Sequence, residues 1–274
     1  MNVKEIIQRD NIKAKKHFGQ NFLVDQNILK KIITTSNPTN QNVIEIGPGL
    51  GSLTEYLLSE AKRLVCYEID DDMIEKLKER FDEIDNLTIV KQDFMKADIN
   101  KDISTYFNDE EVIVVANLPY YITTAILTKI LTETSKIKKI YVMVQKEVAM
   151  RLSGKPSTKD YNSLSVFVQY YTNVKMLFNV PPKSFIPAPN VDSSVIEIIR
   201  KDKCQYVKDE KEFHKFVQNI FSQRRKTIYN NIKNNYKLTK EEIEEKLKHN
   251  DILPNTRAES LTVEQIVNLA NSFI

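Results

Sequence analysis

The run Gly47-Pro48-Gly49-Leu50-Gly51 constrains this chain more than any other stretch. The 274 residues include only five glycines, and three of them stand in these five positions. Asn42-Val43-Ile44-Glu45-Ile46 precedes the run and reads as a short buried strand. Leu53, Tyr56, Leu57 and Leu58 follow it at helical spacing. A strand, a glycine turn and a helix in that order bring backbone close to a ligand at the edge of a parallel sheet. The spacing G-x-G-x-G is one residue tighter than the dinucleotide fingerprint, and no Lys-Ser/Thr follows it as in a P-loop.

Polar residues then fall at successive strand ends. Arg63 to Tyr67 reads as the second strand, and Glu68 closes it 21 positions beyond Gly47. That is near the offset of ~20 at which an acid accepts ribose hydroxyls. The run Glu68-Ile69-Asp70-Asp71-Asp72 also suits capping of a helix from Met73 to Phe81. We assign Glu68 to the ribose and the Asp residues to the cap. Leu87 to Lys91 is a third strand and leaves through Gln92-Asp93-Phe94. Asp93 is placed to accept from an adenine amine, although an Asp there is commonly only a turn residue. The tight turn and the ribose acid suit a nucleoside cofactor without pyrophosphate, such as S-adenosylmethionine.

Glu111 to Ala116 is the fourth strand, and it ends in Asn117-Leu118-Pro119-Tyr120. An exocyclic amine on a nucleobase is a weak nucleophile because its lone pair is delocalised into the ring. Two acceptors held against its two N–H bonds favour the pyramidal amine. The Asn117 side-chain oxygen and the Leu118 carbonyl can be those acceptors. Pro119 fixes its own φ and biases Leu118 to an extended conformation, which aims that carbonyl. Tyr120 offers a ring for a base to stack on. The plainer alternative is a strand-ending turn with a half-buried Tyr.

Composition sets limits. With 41% hydrophobic and 28% charged residues the chain can bury a core. The net charge is only +3, so any nucleic-acid argument rests on clustering rather than on the total. Cys66 and Cys204 match no zinc or redox spacing, and no metal site is expected. No apolar signal core or membrane-length stretch is seen, so a soluble cytoplasmic protein is expected. Near the start, Lys13, Lys15, Lys16 and His17 form a basic cluster before Phe18-Gly19-Gln20-Asn21-Phe22-Leu23. This arm suits a docked terminal segment better than a lid that faces phosphate. Asp25 can cap the helix that runs from Gln26 to Thr35.

The second half is less regular. Lys139 to Val144 and Val191 to Ile199 read as strands, whereas Ser163 to Tyr171 combines strand propensity with no clear period. Pro181, Pro182, Pro187 and Pro189 stiffen the loop around Phe185. Phe185 either faces Tyr120 across a flipped base or packs the loop down. Beyond Lys201-Asp202-Lys203 the pattern is helical throughout. Arg224-Arg225-Lys226 lies there beside Tyr229, a combination suited to RNA phosphate or to pairing with the acids at 241–245.

Taken together, Phe18-Gly19-Gln20-Asn21-Phe22-Leu23, Glu45-Ile46-Gly47-Pro48-Gly49-Leu50-Gly51 and Asn117-Leu118-Pro119-Tyr120 resemble the ribosomal RNA adenine dimethyltransferases. The resemblance continues through Gln145 to Arg151, Phe185 to Ser193, Phe221 to Thr227 and Arg257-Ala258-Glu259. It implies a Rossmann-like class I methyltransferase α/β sheet over residues 1–201 and a small all-helical rRNA-binding domain over 202–274. It also implies that Ser163 to Tyr171 is a helix. Asn21, Leu23, Gly47, Gly49, Glu68, Asp93 and Asn117 would contact S-adenosylmethionine. Asn117, Leu118, Pro119, Tyr120 and Phe185 would form the catalytic set, and Arg151, Arg224, Arg225 and Lys226 would contact RNA. The implied activity is dimethylation at N6 of two adjacent adenosines near the 3′ end of small-subunit rRNA, on an immature small subunit, by a monomer. A large-subunit methylase of the macrolide-resistance type and a non-catalytic assembly factor are the alternatives.

Overall fold

A computed structural model describes residues 3–15 and 18–274; Lys16 and His17 of the basic cluster lie outside the described residues. The chain divides into two compact units, Met1–Ala149 with Lys175–Arg200, and Met150–Val174 with Lys201–Ile274. The sequence predicts one boundary near 201. Residues 150–174 instead belong with the helices that follow, so the second unit is discontinuous in the chain.

The first unit is built on a seven-stranded sheet. Its strands include β2 (Asn42–Ile46), β3 (Arg63–Glu68), β4 (Leu87–Lys91), β5 (Val112–Asn117), β6 (Ile137–Gln145), β7 (Thr172–Val180) and β9 (Ser193–Arg200), in the spatial order β4-β3-β2-β5-β6-β9-β7. Strands β4 through β6 are mutually parallel, and β9 runs antiparallel to β6. The order reverses at β2, which lies between β3 and β5, and open α/β sheets bind ligands at such a crevice. β2 is buried along its whole length, which suits its apolar residues Val43, Ile44 and Ile46; Asn42 and Glu45 are its buried polar residues.

Gly47, Gly49 and Gly51 all have positive φ, so the turn after β2 needs glycine for its path. Gly51 has a second reason. A Cβ there would stand 2.5 Å from the Phe81 ring and 2.9 Å from Leu77, which lies on α4 (Asp71–Arg80). Asp70 caps α4 by accepting from the Asp72 N–H.

The N-terminal arm is docked. A helix α1 (Val3–Arg9) buries Val3 and Ile6 in a cluster with Phe22, Leu50 and Met73. The two-residue strand β1 (Phe22–Leu23) then pairs antiparallel with β8 (Phe185–Ile186). Lys15 meets Asp70 at 2.6 Å and Asp72 at 2.7 Å, so its charge is answered within the protein.

In the second unit, α8 (Ser163–Tyr171) and α9 (Glu210–Ile220) pack together, and α10 (Ile228–Asn235) and α12 (Val263–Phe273) also lie on α9. α8 is a helix despite its β-branched and aromatic content. Asn162 and Ser165 form a capping box at its start, and Tyr170 packs on Phe213 of α9 with ring centroids 4.8 Å apart. Capping and packing override the local propensity there. Among the described residues no helix is long and apolar enough to cross a membrane.

Candidate active site

The carboxyl ends of β2, β3, β4 and β5 converge on a cavity of about 220 Å³. Gly47 and Gly49, Glu68, Asp93 and Asn117 all line it, as do Asn21, Leu23 and Leu118-Pro119-Tyr120. The strand-end residues proposed from spacing are therefore brought to one place.

Glu68 is 7% exposed and is held by backbone on both oxygens. Oε2 accepts from the Gly49 N–H at 3.0 Å, and Oε1 from the N–H groups of Ile69 and Asp70 at 2.8 and 3.0 Å. Burial pushes its carboxyl up, the three N–H bonds pull it back, and the Asp70 charge adds to the rise. Carboxylate oxygens have further lone pairs, so Glu68 is oriented by its own loop and can still accept from two hydroxyls. Asp93 caps a short 3-10 turn through Oδ1, which accepts from the Met95 N–H at 2.9 Å. It is thus both the turn residue and a cavity residue.

The corner after β5 is fixed from several sides. The Asn117 Nδ2 donates to the Asn21 carbonyl at 3.2 Å. A carbonyl can only take the nitrogen end of the amide, so Oδ1 is left as the acceptor. The Leu118 N–H donates to Met143 at 3.2 Å, and the Pro119 carbonyl accepts from Ile122 N–H and the Thr123 hydroxyl. The Leu118 carbonyl between these anchors takes its direction from the chain. The Tyr120 hydroxyl pairs with Ser193 Oγ at 2.6 Å, and burial pushes its phenol up, so it stays neutral. Asn21 contributes its carbonyl to Asn117, while its side chain donates to Gly19.

Phe185 requires a correction. Its ring is 3% exposed in the core cluster that holds Leu23, Leu29 and Val180, and its backbone pairs with Leu23. The structure shows packing rather than a wall offered to a base. The RNA candidates fall in the segments 150–174 and 201–274. Arg151, Arg224, Arg225 and Lys226 are exposed members of the second unit. Arg224 Nε donates to Glu259 Oε2 at 2.8 Å, not to the acids at 241–245, and Arg257 lies 4.0 Å from the other oxygen of Glu259.

Glu45 and Tyr121 are among the cavity residues that the sequence argument does not single out. Glu45 is 2% exposed, and its Oε2 accepts from Thr54 Oγ1 at 2.7 Å and from Cys66 Sγ at 3.5 Å. Burial pushes its carboxyl up to about 7, and the Glu68 charge adds to the rise. A lone acid in an apolar strand was the signal. Tyr121 lines the cavity while remaining 60% exposed, and nothing in its sequence position marks it.

The cavity's chemistry tests which cofactor fits. Among the described residues that line it are three carboxyls, Glu45, Glu68 and Asp93, and no Lys or Arg. That set disfavours a pyrophosphate and suits a nucleoside that carries positive charge, as S-adenosylmethionine does.

Residues 11–274 match the family model described as ribosomal RNA adenine dimethylase. The chain belongs to this family. A relative from Geobacillus sp. (strain WCH70), "Ribosomal RNA small subunit methyltransferase A", is 46% identical over 275 residues, covering 98% of this chain and 94% of its own length. A dimethyladenosine transferase structure from Plasmodium falciparum superposes with a TM-score of 0.75 at 26% identity, over 90% of this chain and 95% of that one. The structure of the 23S rRNA methyltransferase ErmE gives a TM-score of 0.70 at 24% identity, over 92% and 99%, and supports the fold alone.

Proposed function

We propose that the cavity at the sheet edge holds S-adenosylmethionine and that the Asn117-Leu118-Pro119-Tyr120 corner receives N6 of an adenosine swung out of rRNA. The chain is an S-adenosylmethionine-dependent rRNA adenine N6-dimethyltransferase. It dimethylates two adjacent adenosines near the 3′ end of small-subunit rRNA. The single observation that carries the residue assignment is the orientation of Asn117, whose nitrogen is bound to the arm and whose oxygen is left over.

Glu68 receives the ribose hydroxyls and Asp93 the adenine amine of the donor; the Gly47 turn, Asn21 and Leu23 complete its surroundings. When bound, S-adenosylmethionine supplies a methyl group on a positively charged sulfur. The Asn117 Oδ1 and the Leu118 carbonyl accept from the two N6 hydrogens of the target, which localises the nitrogen lone pair. Such fixed acceptors also stabilise the cationic nitrogen as it forms. The proton leaves after the amine has become cationic, so no general base near pH 7 is needed. Tyr120, locked to Ser193, gives the target base a rigid ring. Proximity and orientation supply much of the rate.

Arg224, Arg225, Lys226 and Arg151 contact rRNA phosphate from the second unit. The reading extends to an assembling small subunit in the cytoplasm, met by one copy of the chain, since one chain carries every strand-end residue. Purified small and large subunits, each incubated with the enzyme and labelled donor, provide the test. Label should enter the small subunit as N6,N6-dimethyladenosine at two adjacent positions. Label confined to the large subunit would overturn the proposal.

A further inference from the structure

We propose that Tyr121 retains the methyl donor: its ring closes over the donor's nucleoside half and holds the arm down through Gly19. This rests on the donor placement given above.

Among the described residues, Ile69 and Tyr121 are the exposed large hydrophobics that line the cavity, at 47% and 60% exposure. Apolar surface left open inside a concave site is surface that a ligand covers. Ile69 follows the ribose acid directly. Tyr121 is brought to the same end. Its phenol is pushed up by burial, then by the charges of Asp93 and Glu68, the residues assigned to adenine and ribose. A planar purine fits between an aliphatic face and an aromatic one.

The ring also lies on the arm. Gly19 has φ +61°, and a Cβ there would stand 3.2 Å from Cδ1 of Tyr121 and 3.5 Å from Cε1. Glycine takes this backbone turn without strain and leaves room for the ring; a side chain there would be strained and would press on it. The arm is tied on either side of that contact. Gln20 Nε2 donates to Asp70 Oδ2 at 2.7 Å, and Lys15 pairs with Asp70 as well. The Asp70 N–H in turn donates to Glu68, while Asn21 accepts from Asn117. Tyr121, the arm and the ribose acid are thus one connected set on the donor side. The neighbouring Tyr120 differs, because its hydroxyl is fixed to Ser193.

The test compares the full-length wild type with Y121A, Y121F and G19A. Calorimetry gives the affinity for S-adenosylmethionine and S-adenosylhomocysteine, and steady-state kinetics give the KM for small subunits. Loss of one stacking ring should weaken both nucleosides about tenfold in Y121A. Y121F should recover most of that loss, and G19A should weaken binding in the same direction, with the small-subunit KM little changed in all three. Unchanged donor affinity in Y121A would overturn the inference. So would an effect confined to the small-subunit KM, which would put the ring against RNA. A wild type that binds neither nucleoside would sink the donor placement itself, and this inference with it.

Discussion

At the sheet edge, Glu68, Asp93 and Asn117 each commit polar atoms to the protein's own backbone while facing a cavity. In the second unit, Arg224 is held by one side-chain contact to Glu259, and Arg225 and Lys226 stand exposed. The first arrangement fixes direction and the second fixes little more than charge. Methyl transfer needs acceptors within tenths of an ångström, whereas long cationic side chains can find a phosphate from many rotamers. The two regions should therefore fail differently when mutated.

The largest effect should come from Asn117→Ala. With one fixed acceptor gone, kcat should fall about 10³-fold, while donor affinity stays within severalfold because Glu68, Asp93 and the glycine turn remain to hold the donor. Single-turnover methylation and calorimetry read the two separately, and preserved turnover would erase the contrast. Phe185→Ala comes next, and it asks whether that ring belongs to the core or to the rigid site. A cavity at a 3%-exposed Phe should cost about 3–5 kcal/mol in urea unfolding. A stability change under 1 kcal/mol, together with a raised KM for small subunits, would return Phe185 to the catalytic set. The smallest effect belongs to the double variant Arg224→Ala, Arg225→Ala. Its KM for small subunits should rise about tenfold and its salt dependence should flatten by about two phosphate contacts, with donor affinity unchanged. A fall in kcat with no change in salt slope would show that these arginines act through geometry after all.

The same contrast governs what could be read from the chain. That Gly47, Glu68, Asp93 and Asn117 come together was legible because each lies at or just past the end of its strand, and parallel order puts those ends side by side. Phe185 was not, since prolines stiffen a loop without saying which way a ring faces. Docking of the arm was expected, but the helical form of α1 and the strand β7 were missed. β7, at the sheet's margin, exposes Asn173, Lys175 and Asn179 but half-buries Leu177 in the same alternation, which blurs its period. Glu45 was visible as an acid in an apolar run, but its partners Thr54 and Cys66 come from a neighbouring helix and strand. The discontinuous second unit defeats any reading that cuts a chain once.

That discontinuity bears on how such proteins can be recombined. A graft of residues 202–274 onto another methyltransferase sheet would leave α8 behind, and with it Tyr170 and Tyr171. The transplanted Phe213 would lose its stacking partner, and Glu210 the hydroxyl that donates to it. Moving the second unit between relatives therefore calls for two segments, 150–174 and 201–274, taken as a pair.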